Sequence, residues 1–221
     1  MHTILKSWEQ EYARLKQQGL PAVASRRRFL HGVAGLAGMV VLNPSGLQAS
    51  APAKSPPTPA VDNKASSVDT LNEEPWLTFV QVHAHLFPVT ADKTWPGGKS
   101  PGAQQLNATG YLAQALERPD VGKAEKAFML NGVKWLNDFA VKQRKQPFAK
   151  LSSQDKEWVL RQIEQSKAGE RWLSSIMDYL LEALLEDPVY GGNPQGIGWK
   201  WLQHTPGFPR PPVNKMYYKL S

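Results

Sequence analysis

From Glu74 to Asp187 the apolar residues return every three or four positions, and proline or glycine interrupts them at intervals. That spacing is the period of an α-helix, not the period of two that a half-buried strand needs. Leu77, Val80 and Ala84 share one face of a predicted helix over 74–87, opened by Pro75 and closed by Pro88. A second helix is predicted over 104–117, ahead of Pro119. A third starts after Asp120, carries Ala124, Phe128, Trp135, Leu136 and Phe139 on one side, and ends near Pro147. Ser152, with Asp155 three residues on, is the expected N-cap of a fourth. The fifth starts at Gly169, has Trp172, Ile176, Tyr179, Leu180, Ala183 and Leu184 as a broad apolar face, and stops at Asp187-Pro188. Alternating segments are missing. The expectation is an all-α body of about five helices in residues 71–221, with tryptophan filling much of its core.

The chain has 221 residues, 41% of them apolar and 20% charged, which suffices for a packed domain. It has no cysteine. Disulfides, thiolate zinc sites, iron–sulfur clusters, covalent haem attachment and cysteine nucleophiles are thereby excluded together. No apolar run is long enough to be an obligate membrane span. The net charge of +7 would suit a nucleic-acid partner, but +4 of it falls in residues 1–49, on Lys6, Arg14, Lys16 and Arg26 to Arg28 against Glu9 and Glu11. Beyond residue 49 both signs are interspersed, so nucleic acid is not an expected partner.

Residues 25–31 read Ser25-Arg26-Arg27-Arg28-Phe29-Leu30-His31. An apolar, glycine-containing stretch runs to Leu42, then Asn43-Pro44 breaks it, and small residues follow at Ala49, Ser50, Ala51 and Ala53. A basic region, a short apolar region and a small-residue cleavage site make a signal peptide. Ser25, Arg26, Arg27, Phe29 and Leu30 resemble the twin-arginine export signal, with His31 where Lys is usual. Cleavage is expected between Ala49 and Lys54. Upstream, Leu5, Trp8, Tyr12 and Leu15 form a helical stripe before Gly19-Leu20-Pro21. That segment reads as an amphipathic helix which would be removed with the signal. The boundaries are therefore 1–49 for the signal with an extended leading region, 50–70 for a Pro/Ala/Ser linker, and 71–221 for the body.

Residues 188–212 change character, with Gly and Pro dominant and Tyr190, Trp199, Trp201 and Phe208 interleaved. The segment is expected to lack regular structure and to pack against something. Gly191-Gly192-Asn193-Pro194-Gln195-Gly196-Ile197-Gly198 is not a phosphate loop: a helix precedes it rather than a strand, and no Gly-Lys-Ser/Thr closes it. Turns with positive φ are the plainer reading. His83 and His85 are two apart, hence about 200° apart around a helix, so they cannot share a metal, and one is expected to pack inward. No Gly-x-Ser-x-Gly elbow is present. Glu182, Glu186 and Asp187 read as a solvated helix face. Catalytic, cofactor-binding and metal-binding residues are accordingly assigned to none.

Three pieces now align: His85-Leu86-Phe87-Pro88 ahead of Pro101-Gly102-Ala103 and Tyr111-Leu112; Pro147-Phe148 ahead of Leu151-Ser152; and Asp187-Pro188-Val189-Tyr190-Gly191-Gly192-Asn193 ahead of Gly198-Trp199-Lys200. Over about residues 73–212 this order resembles the gluconate 2-dehydrogenase subunit 3 family, the small (gamma) subunit of membrane-associated flavoprotein dehydrogenases. Trp201 to Thr205, inserted before Pro206-Gly207-Phe208-Pro209, depart from its usual ending. The resemblance implies a large FAD-containing partner of the glucose–methanol–choline type that lacks its own export signal. It also implies a multihaem cytochrome c as a third subunit, with haem c there and no cofactor in this chain. The small subunit would carry the address to the twin-arginine translocase and support maturation of the flavoprotein. Its place would be the periplasm, held at the inner membrane through the complex. Pro188, Tyr190, Gly191, Gly192, Asn193, Gly198 and Trp199 would belong to the partner surface, with Tyr190 and Trp199 as anchors. Folding of that segment back onto the chain's own helices is the competing reading of it. For the chain as a whole, the competing reading is a stand-alone periplasmic helical ligand-binding protein or enzyme.

Overall fold

A computed structural model describes residues 2–20 and 70–219; the export signal over 25–49 and nearly all of the linker over 50–70 lie outside the described residues. The body is all-α. Seven helices are described: α1 (His2–Gln17), α2 (Trp76–Leu86), α3 (Ala108–Glu117), α4 (Lys123–Arg144), α5 (Ser153–Glu164), α6 (Lys167–Leu185) and α7 (Ile197–Trp201). No described helix is long and apolar enough to cross a membrane.

α6 is the central element, touching each of the other helices. Its sequence explains this, because Trp172, Ile176, Tyr179, Leu180 and Ala183 are all buried on it. The seam with α4 is close. The Trp172 indole donates to the Met129 carbonyl at 3.0 Å. A Cβ at Gly132 would lie 2.0 Å from that indole nitrogen, so only glycine permits the approach. Further along, the Tyr179 hydroxyl donates to the buried Glu125 carboxylate at 2.8 Å. A buried carboxylate without a partner would be costly, and this bond answers part of that demand.

Helix boundaries follow local chemistry. The Ser152 hydroxyl accepts from the Asp155 N–H at 3.1 Å, as its spacing predicts. Ser166 does the same for Gly169 at 3.0 Å, so the helix expected to start at Gly169 starts two residues earlier, at Lys167. The helix expected from 104 begins only at Ala108, because Asn107 is left-handed with φ 54°.

α1 confirms the stripe expected of residues 5–15 and adds a seat for it. Trp8, Leu15 and Leu20 are buried members of the main core. The Trp8 ring lies 5.3 Å from Trp135, and Tyr12 lies 5.6 Å from Phe128, both on α4. The Glu9 carboxylate accepts from the Ala168 N–H at 3.0 Å, satisfying one of the orphan donors in the first turn of α6.

The two histidines of α2 diverge. His85 bonds Glu157 at 2.7 Å on the outside. His83 is buried, with Nδ1 2.9 Å from the Thr109 hydroxyl. Burial lowers its pKa to about 4, so it stays neutral in the fold. The unfolded chain takes up that proton below about pH 6.5, so stability is full above that value and falls as the pH drops towards 4. Denaturant titrations between pH 7 and pH 4.5 should show the wild type losing on the order of 2 kcal/mol more than His83→Gln. Equal pH slopes for the two proteins would remove His83 as the cause.

Candidate partner-binding segment

The segment after α6 is built on Asp187. Its carboxylate accepts from the Val189 N–H at 3.0 Å and starts the turn Pro188–Tyr190. Burial pushes this carboxyl up, but the Arg210 guanidinium, 2.7 and 2.9 Å away, and the Val189 N–H hold it below its ordinary value. Arg210 lies 23 residues downstream, so this pair pins the final stretch of the chain to the end of α6.

The chain then turns on its glycines. Gly191 has φ 97° and Gly196 φ 67°, conformations that favour glycine, as expected of these positions. Gly192 and Gly198 serve close approach instead. A Cβ would lie 2.7 Å from Ala183 Cα at the first and 2.4 Å from the Leu184 carbonyl at the second. Both press the segment onto the last turns of α6, and neither leaves space for a phosphate.

Asn193 organises the loop. It is fully buried and left-handed, at φ 49° and ψ 50°. Its N–H donates to the Leu106 carbonyl at 3.1 Å, and its Nδ2 donates to the Glu186 carbonyl at 3.2 Å. Its Oδ1 accepts from the Gly198 N–H at 2.7 Å. That last bond caps α7, a five-residue helix inside a stretch expected to have no regular structure. The expectation fails there because a single asparagine supplies the N-terminal partner that the local Gly and Pro content does not. Asn193→Ala should cost about 3 kcal/mol in urea unfolding, since it strands the Gly198 N–H and puts alanine in a left-handed site. A loss below about 1 kcal/mol would show that the backbone alone fixes the loop.

Trp199 closes the assembly. It is buried, its indole donates to the Leu185 carbonyl at 2.7 Å, and the Arg210 guanidinium lies 5.4 Å from its ring. In the chain by itself Gly191, Gly192, Asn193, Gly198 and Trp199 are thus turned inward, capping α6, while Pro188 and Tyr190 are half-buried. The large apolar side chains turned outward here were not singled out by the sequence: Leu181, Leu185, Leu202 and Phe208, the last 88% exposed. Leu181 and Leu185 are one turn apart on α6, and Leu202 and Phe208 flank the pinned tail.

A second cluster was also missed. The Arg118 guanidinium lies 5.4 Å from the Tyr217 ring and 5.5 Å from Tyr218, and both tyrosines pack on Tyr190. Tyr111 donates to Glu182 at 2.9 Å beneath them. Burial and the facing carboxylates raise the Tyr111 phenol far above its ordinary value. Burial raises Tyr217 to about 12, against the pull of Arg118. These phenols therefore stay protonated at neutral pH and act as donors and packing surface. The adjacent Tyr-Tyr pair near the end of a Pro-rich stretch was the available signal. Among the described residues, no group of three His, Asp or Glu side chains is placed to hold a metal.

No curated protein and no solved structure matches the chain. The family model described as gluconate 2-dehydrogenase subunit 3 matches residues 73–207, more than half of the sequence. That span runs from the residues just before α2, through the Asn193 loop, to the residue before Phe208. The chain belongs to the gluconate 2-dehydrogenase subunit 3 family.

Proposed function

We propose that this chain is the non-catalytic small subunit of a periplasmic FAD-dependent dehydrogenase complex, acting on a sugar or sugar acid. It carries the twin-arginine export signal for the complex and supports maturation and stability of the flavoprotein subunit. A multihaem cytochrome c is the proposed third member. The observation that carries the reading is family membership over the helical body. The surface supports it. Phe208, Leu185, Leu181 and Leu202 stay exposed around a motif whose polar atoms are used internally. Apolar side chains gathered on a rigid base are what a docking partner buries.

Affinity purification of the full-length chain from its host tests this. A yellow flavoprotein should co-purify, and the small subunit, once separated from it, should show no flavin absorption and no dehydrogenase activity. A colourless chain that purifies alone and binds a sugar would replace this reading with the stand-alone one.

A further inference from the structure

α1 sits in a groove on α4 and α6 as a short helix lies in a receptor. Its buried side chains, Trp8 and Leu15, are two turns apart on one face, and Glu9 reaches the first turn of α6. The floor of this groove does not depend on α1. Gly132 and Trp172 interlock beneath it, and the Trp172–Met129 and Tyr179–Glu125 bonds join α4 to α6 directly. Phe128 and Trp135, against which Tyr12 and Trp8 rest, belong to that joined pair.

Two observations mark α1 as a replaceable occupant. First, the Trp8 indole nitrogen is buried and has no hydrogen-bond partner, whereas the Trp172 and Trp199 indoles both find carbonyls. A buried donor left unmade weakens the seat. Second, α1 precedes the residues read as an export signal, so cleavage there would sever it from the body and bare the groove.

We propose that the α4–α6 groove is a second docking surface for the dehydrogenase subunit, and that α1 holds it as a placeholder until that partner arrives. The occupant that replaces α1 is an amphipathic helix of the dehydrogenase subunit. It presents an aromatic and an aliphatic side chain two turns apart, and a carboxylate that takes over the Ala168 N–H. The proposal rests on the small-subunit reading given above. While α1 is docked, the partner binds only the fraction of chains whose groove is open, which lowers its apparent affinity by that fraction.

Hydrogen–deuterium exchange on the uncleaved chain, alone and bound to the flavoprotein that co-purifies with it, tests the placeholder directly. Binding should lower protection of the α1 amides by about tenfold or more while the amides of residues 128–135 keep theirs. Unchanged protection of α1 in the complex would overturn the proposal. A variant gives the opposite sign from a purely structural role. Ala13 is exposed, so Ala13→Pro breaks α1 without touching the groove, and it should raise affinity for the flavoprotein by about tenfold. Equal or weaker binding by Ala13→Pro would overturn the proposal as well. Failure of the parent reading looks different: the chain purifies colourless, with no flavoprotein to measure, and both ideas fall together.

Discussion

Trp199→Ala should destabilise the isolated chain by about 3–5 kcal/mol and lower its melting temperature by roughly 10 °C. Three losses combine in that figure. The large buried ring leaves a cavity over the end of α6. The Leu185 carbonyl loses its donor at 2.7 Å. Arg210 loses the ring it lies against, which loosens the strap it forms with Asp187. The alternative role, an anchor on the partner, predicts a different pattern: a nearly unchanged melting temperature with at least about 2 kcal/mol lost from flavoprotein binding. Thermal unfolding of the isolated variant, set beside its capture of the flavoprotein, separates the two. The capping geometry supports the first pattern, and a melting temperature within about 2 °C of wild type would reject it.

Replacing Arg26 and Arg27 together by Lys should leave the chain in the cytoplasm, with periplasmic material down on the order of tenfold or more. Lysine keeps both charges but lacks the planar guanidinium fork, so recognition by geometry is lost while simple attraction survives. Cell fractionation reads the result. The flavoprotein should be stranded with the chain if it travels as cargo. Normal periplasmic accumulation of the double variant would end the twin-arginine reading. It would leave the helical body and its family membership untouched, since those rest on residues 73–207.

The five helices of residues 74–187 were legible because their information is local. Heptad-like spacing, Ser152 before its helix and Pro188 after the last one each act within a turn or two of the residue concerned. Even there, Asn107 was read as helical because nothing local says that its side chain reaches the Gly191 carbonyl, 84 residues on, at 2.8 Å. α7 was missed for the same reason, since its cap is Asn193 in a loop that composition marks as irregular. The stripe of α1 could be read, but its seat could not. Trp8 meets Trp135 through a pairing that no neighbouring residue encodes. At the site, the Asp-Pro-x-Tyr-Gly-Gly-Asn run was recognisable as a motif, and its glycines were correctly assigned to turns. The inward direction of Trp199 and the outward direction of Phe208 were not legible, because both are aromatics in a Pro-rich tail. Only the Arg210–Asp187 pairing distinguishes their surroundings.

Asn193 joins three places that are far apart along the chain: the turn before α3 at Leu106, the end of α6 at Glu186, and the start of α7 at Gly198. A knot of that kind does not fray from one side. Opening the loop at any one strand of the knot releases the other two, so the end of α6, the Leu106 turn and α7 should come apart as one cooperative unit. A protease probing the native chain should accordingly find this glycine- and proline-rich stretch closed, despite a composition that usually invites cutting, and should find it open all at once when Asn193 lets go.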